Sequence, residues 1–257
     1  MQKVYASSWD WDRIELLSSG IREVWSASLA NIIKELNPPS HILDLGCGTG
    51  YFSAEMLSKL GSHHLYYTGV DLDAQALLRA KSRIKSQSSF MNESALGTPV
   101  TLLARSAADV IISLSNTFLC LGSRTELLNF LNSIRRSEGQ KHLVFSVVPW
   151  GPFQQIYNKM FVDWYYLQST SRDCWVKVDI IEHTEHIEQH VYIKDSDEPS
   201  QITHRFLKMN APEITAFFVE SGWQIRSWRS PIDGSVVDPD KAQLPEFFIV
   251  CDQIGQP

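Results

Sequence analysis

The run Asp44-Leu45-Gly46-Cys47-Gly48-Thr49-Gly50 constrains this chain more than any other segment. It ends a short apolar stretch, His41 to Leu45, and opens a helical one, Tyr51 to Leu60, stopped by Gly61. An apolar stretch running into a glycine loop reads as a buried parallel strand. Glycine tolerates positive φ and has no Cβ to hold the backbone away from a ligand. The helix that follows presents unpaired N–H groups at its start. Such a loop lies at the carboxyl end of a strand, where open α/β sheets bind their ligands.

The strand-and-helix rhythm continues on both sides of the loop. Ile21, Val24, Trp25, Leu29, Ile32, Ile33 and Leu36 recur at helical spacing before Pro38-Pro39, which predicts a helix over most of residues 20–36. Leu65 to Val70 is a second strand, followed by a helix over about residues 73–85. Asp109 to Leu114 and His142 to Val148 are further strands, with a helix across Glu126 to Arg136 between them. Between residues 88 and 108 two registers fit. Either Val100 to Ala104 is the strand, or Ser88 to Met91 is the strand and the later segment a loop or short helix. The second is preferred, because it leaves connections of ordinary length. This alternation argues for a parallel sheet covered by helices on both faces.

After Val148 the rhythm breaks at Pro149-Trp150-Gly151-Pro152, and an aromatic segment from Phe153 to Leu167 reads as helical. Trp175 to Ile181, Ile187 to Ile193 and Gln201 to Phe206 alternate polar and apolar residues, as antiparallel strands with one wet face do. Asn210-Ala211-Pro212-Glu213 starts a helix with Asn210 as N-cap. Two β-rich runs, Trp223 to Trp228 and Glu246 to Asp252, finish the chain. The expected organisation is a single domain over residues 1–257, with an N-terminal helical segment over 1–37 and a substrate cap inserted over 150–206.

A dinucleotide site would carry GxGxxG. Here the spacing is GxGxG, preceded by an acid that would be unwelcome beside a pyrophosphate. The seven residues from Asp44 to Gly50 resemble motif I of the class I S-adenosylmethionine (SAM) dependent methyltransferases at every position. That resemblance implies a seven-stranded, mostly parallel sheet whose last strand is antiparallel, with helices on both faces and a cap of helix and antiparallel strands after strand five. It also implies SAM as cofactor, held by Asp44, Gly46, Cys47, Gly48 and Gly50. Asp71, about 20 residues on, would take the ribose hydroxyls, with Leu72 beside it. A helix N-cap is the competing role for Asp71, though Asp73 suits that better. Asn92 and Glu93 would hold the adenine edge, where the family's usual Gly-Asp is absent. Ser113 and Asn116, closing strand four, would flank the methionine portion and the methyl group.

The strand-four ending Ser113-Leu114-Ser115-Asn116 lacks the Asn/Asp-Pro-Pro-Tyr of methylases acting on nucleobase amines. No metal is expected, since the only acid near that strand is Asp109, at its other end. A net charge of −6 and a pI near 5.7 do not suggest a nucleic-acid partner, and the basic run Arg79 to Lys85 reads as the solvated side of a helix. Mean hydropathy is −0.15 and no apolar run suits a membrane span. Four scattered cysteines without CxxC spacing fit a reducing cytoplasm. The expected partner is therefore a small-molecule acceptor, methylated on oxygen or nitrogen by in-line displacement. Protein or RNA methylation, or SAM binding without transfer, are the alternatives.

Histidine titrates near neutrality and suits a general base. Four of the eight histidines, His183, His186, His190 and His204, fall in the cap or its exit. His186 and His190 are the base candidates, and as members of a strand's polar face they fit plain solvent exposure as well. Trp150 and Phe153, just beyond strand five, are the candidate substrate contacts. Tyr5, Trp9 and Trp11 are expected to fold over the bound cofactor.

Overall fold

A computed structural model describes residues 19–36, 39–61, 64–135, 141–151, 154, 165–167, 174–194, 199–242, 244 and 246–254. Strands β1 (His41–Leu45), β2 (Tyr66–Asp71), β3 (Ser88–Asn92), β4 (Val110–Ser113) and β5 (His142–Val147) are parallel. With β10 (Trp223–Arg229) and β11 (Phe247–Gln253) they form one sheet in the order β10-β11-β5-β4-β1-β2-β3. Only β11 runs against its neighbours. Strand order reverses between β1 and β4, which opens a crevice at their carboxyl ends.

Helices cover both faces because the strands are apolar on both. Helix α1 (Ser19–Glu35) and α2 (Tyr51–Leu60) bury Leu29, Ile33 and Met56 against Ile42, Val144 and Phe248. On the opposite face, α4 (Thr98–Ser106), α6 (Arg124–Ser133) and α7 (Ala211–Glu220) bury Val100, Phe130 and Phe217 against Leu43, Phe145 and Ile249. Each such side chain contributes roughly 1.5–3 kcal/mol. Local signals agree with this packing: α7 begins with a capping box in which Asn210 and Glu213 exchange side-chain and backbone bonds. Asp73 caps α3 (Ala74–Arg83), accepting from the N–H groups of Gln75 and Ala76. The strand at Ser88–Asn92 is the preferred register, and the alternative segment is the nine-residue helix α4.

After β5 the chain builds a second, four-stranded antiparallel sheet. Its strands, β6 (Tyr165–Leu167), β7 (Cys174–Glu182), β8 (His186–Lys194) and β9 (Pro199–Leu207), pair in sequence order. Residues 165–167 correct the expectation of a helix there: they pair with Cys174–Val176, and cross-strand bonding overrides an aromatic stripe at helical spacing. The apolar face of this sheet, with Val178, Ile187, Val191 and Phe206, joins the same buried cluster as Phe145 and Phe217. Trp150 N–H bonds Met209 O at 2.8 Å, drawing the two ends of the insert together.

Candidate active site

The glycine loop sits on the end of β2. Gly46 and Cys47 donate their N–H groups to Val70 O at 2.8 and 3.0 Å, and Gly50 N–H turns back to Cys47 O. Gly46, Gly48 and Gly50 all have positive φ, of 73°, 54° and 70°. Their surroundings differ. A Cβ at Gly46 would lie 2.3 Å from Thr117 Cγ2, and one at Gly50 would lie 2.8 Å from Ala80 Cβ, whereas one at Gly48 would meet nothing within 4 Å. Two of the glycines admit neighbouring helices, and Gly48 borders open space.

Two carboxylates brace the loop. Asp71 ends β2 and accepts from Gly48 N–H at 2.8 Å through one oxygen and from Asp73 N–H at 2.9 Å through the other. It is therefore not a helix cap. Each oxygen keeps a second lone pair. Burial raises its pKa against those backbone bonds. Asp44, only 1% exposed, accepts from Tyr67 Oη at 2.7 Å and from Ser53 Oγ beneath the loop. Burial pushes its carboxyl up to about 6, with the two hydroxyls opposing.

Asn92, paired with Asp71 in register, donates its amide to Asp71 O and Leu72 O at 3.1 and 2.9 Å. It shapes the turn that presents Leu72, which is 41% exposed. Glu93 follows and is exposed. Ser113 is fully buried and donates to Leu45 O at 2.9 Å, so its hydroxyl ties β4 to β1 and does not reach the crevice. Cys47 packs its Sγ over Gly69, where a Cβ would lie 2.8 Å away. Arg83, read from sequence as solvated, instead reaches across to bond Thr49 O at 3.0 Å and lies over the Tyr51 ring.

At the end of β4, Ser115 and Asn116 both adopt left-handed backbone, with φ of 54° and 56°. Non-glycine residues rarely sit there, and consecutive ones are held only by surrounding bonds. Here Asn116 Oδ1 accepts from Val148 N–H, and Asn116 N–H donates to Ser146 Oγ, both at 3.0 Å. The short helix α5 (Thr117–Cys120) follows directly. Sequence reasoning missed Glu246 altogether. Antiparallel pairing of Phe247 with Val147 brings it to this same edge, where it is bonded to the Ser146 side chain and the Asn116 backbone.

The base candidates of the cap lie on β8. Ile187 and Val191 point into the core, so alternation turns His186, Glu188 and His190 to the opposite face of β8. There His186 stacks on His183 at 4.2 Å, His190 Nε2 lies 3.5 Å from Glu188, and Arg205 bonds His186 Nδ1 at 3.2 Å. His183, His186 and Glu188 bring possible ligand atoms within 4.8 Å of one another. Burial, then Arg205 and His183, lowers the His186 pKa. Among the cap histidines, His204 shares the inward face with Phe206 and Ile187, and burial pushes it down to about 4. Trp150 is buried in the core and donates from Nε1 to Glu182 at 3.2 Å, which makes it an anchor of the β7–β8 hairpin. Phe153, Tyr5, Trp9 and Trp11 lie outside the described residues.

Residues 42–138 match the family model described as a methyltransferase domain. No curated protein sequence matches the chain. Solved structures similar in fold include the CcbJ methyltransferase from Streptomyces caelestis, at 12% identity and a TM-score of 0.70, covering 90% of each chain. DesVI of Streptomyces venezuelae is similar at 14% identity and a TM-score of 0.67, over 94% of this chain and 95% of that one. The sugar N-methyltransferase KedS8 from Streptoalloteichus sp. is similar at 14% identity and a TM-score of 0.60, over 97% and 96%. Residues 42–138 are thus similar to a methyltransferase domain, and the chain shares the fold of SAM-dependent methyltransferases. Among the described residues no helix is long and apolar enough to cross a membrane.

Proposed function

We propose that the enzyme methylates oxygen or nitrogen of a small-molecule acceptor held between the carboxyl edge of the main sheet and the inserted cap. The observation that carries this reading is the direction in which the cap sheet faces. Its apolar side closes onto the domain core through Val178, Ile187, Val191 and Phe206, and β9 packs beside α5, the helix that follows β4. An insert folded down in this way favours an enclosed acceptor over a polymer laid across an open groove. The likeness in fold to a sugar N-methyltransferase, which covers 97% of this chain, supports it.

In this reading Gly48 lets the donor approach the backbone, Asp71 accepts from both ribose hydroxyls, and Leu72 covers one face of the adenine. Glu93 and the Asn92-braced turn meet the adenine edge. Bound SAM supplies a methyl carbon already activated by its sulfonium. What remains for the protein is alignment of nucleophile, carbon and sulfur, and exclusion of water. In this reading the strained Ser115–Asn116 turn borders that line.

Asp71→Ala is expected to weaken SAM binding by roughly 1.5–3 kcal/mol, the usual loss for hydrogen bonds to a charged group. Calorimetric titration checks this, and an unchanged Kd removes Asp71 from the donor site. The acceptor class is tested by incubating the enzyme with SAM and separate pools of small amines, small alcohols, peptides and RNA, and following S-adenosylhomocysteine. Product only with the peptide or RNA pool would overturn the small-molecule reading.

A further inference from the structure

Among the described residues, Glu246 is the carboxylate at the carboxyl edge, beside β5, whose chemistry is unspent. It stands immediately before β11, and the pairing of Phe247 with Val147 sets it beside the end of β5. The Ser146 hydroxyl and the Asn116 backbone donate to it, and Oε1 is buried with no hydrogen-bond partner among the described residues. A buried carboxylate oxygen left without a donor is costly, and native structures keep few of them. Such a group persists where a ligand completes it.

Its neighbours describe the place. The turn it braces is the left-handed Ser115–Asn116 pair, and backbone strain of this kind gathers at sites of chemistry. Cys120, on α5, is the titratable group that feels its charge. Cys120 is solvent-exposed, yet desolvation pushes its thiol up to about 12. The thiol stays neutral and is no rival nucleophile at physiological pH. Desolvation likewise pushes Glu246 up to about 7, where it exchanges a proton readily.

We propose that Glu246 is the acceptor-binding carboxylate of this enzyme and that the acceptor it takes is an amine, bound through an N–H to Oε1. The inference rests on methyl transfer to a small molecule and names its substrate class. An amine arrives as ammonium and must lose a proton before its lone pair can attack. Glu246 takes that proton. The nitrogen–carbon bond then forms as the carbon–sulfur bond breaks, and the bonding pair goes to sulfur, which leaves as the neutral thioether. The product is the N-methylammonium, and the proton on Glu246 passes to water.

The test uses the full chain loaded with S-adenosylhomocysteine. Benzylamine, glucosamine and spermidine are titrated against it beside benzyl alcohol and glucose. Infrared difference spectra at pH 6 report the neutral carboxyl band of Glu246, assigned by its loss in Glu246→Gln. At least one amine is expected to bind saturably and abolish that band, with the alcohols inert. Glu246→Gln should weaken amine binding at least 30-fold and leave SAM affinity within twofold, which shows the edge intact. Glu246→Asp serves the same purpose if the glutamine variant fails to fold. Turnover with the binding amine should fall at least 100-fold in either variant. Failure of every amine to bind saturably, or equal binding by wild type and variant, overturns the proposal. Amine binding that depends on Glu246 without methyl transfer would uphold this site and sink the reading of small-molecule methylation.

Discussion

Gly48→Val is expected to leave a folded chain that no longer binds SAM. The three loop glycines look alike in sequence but do different work. Ala80 Cα would lie 3.0 Å from a Cβ at Gly50, and a backbone atom cannot rotate away. Gly50→Ala should therefore lower the melting temperature by separating the loop from α3. At Gly48 the described residues offer no atom within 4 Å of a Cβ, so a side chain there points into the crevice that a ligand would enter. Its φ of 54° adds backbone strain of about 1–3 kcal/mol, below the roughly 5–15 kcal/mol by which domains are usually stable. Circular dichroism should show native secondary structure, and calorimetry should show no heat of SAM binding. Affinity within tenfold of wild type would remove the loop from the donor site.

Asp44→Asn is expected to make the free enzyme more stable at neutral pH and a poorer binder of SAM. Burial raises the Asp44 carboxyl from 3.8 to about 6. Below pH 4 the group is protonated in both folded and unfolded chains, and it costs nothing. As pH rises from about 4 to 6 the unfolded chain ionises first, so stability falls across that window and then levels off. A shift of this size corresponds to about 3 kcal/mol at pH 7. Asparagine keeps an oxygen for Ser53 and Tyr67 and removes the buried charge. Denaturant melts at pH 4 and pH 8 should therefore differ less for the variant than for wild type. A charge kept at that cost beneath the loop is explained by the cationic donor, whose sulfonium and ammonium it would attract. If the variant binds SAM as tightly as wild type, the charge serves some other end.

Much of this site is legible in the sequence because its elements are local. Asp44 to Gly50 is seven contiguous residues at a strand-to-helix junction, and Asp71 is set by the length of one helix and one strand. Asp73 and the Asn210–Glu213 box are read by the same logic, since a cap involves residues three apart. The alternation that marks β7, β8 and β9 is also local, and it predicted antiparallel strands.

Which face of that alternation meets the domain is a different kind of fact. His186 and His190 share a face by spacing alone, but only the burial of Ile187 and Val191 turns that face outward and leaves His204 on the inner side. Ser113, Trp150 and Arg83 were assigned from position along the chain, and their bonds to Leu45, Glu182 and Thr49 depend on segments 68, 32 and 34 residues away. Glu246 carried no motif at all. Antiparallel return of β11 beside β5, across about 100 residues of sequence, is what places it against Asn116 and Ser146. The sequence by itself determined the glycine loop, because a backbone turn that admits a ligand is written in seven contiguous residues. Only the tertiary structure decided what stands beside the end of β5, because that surface is assembled from strand ends brought together by sheet register.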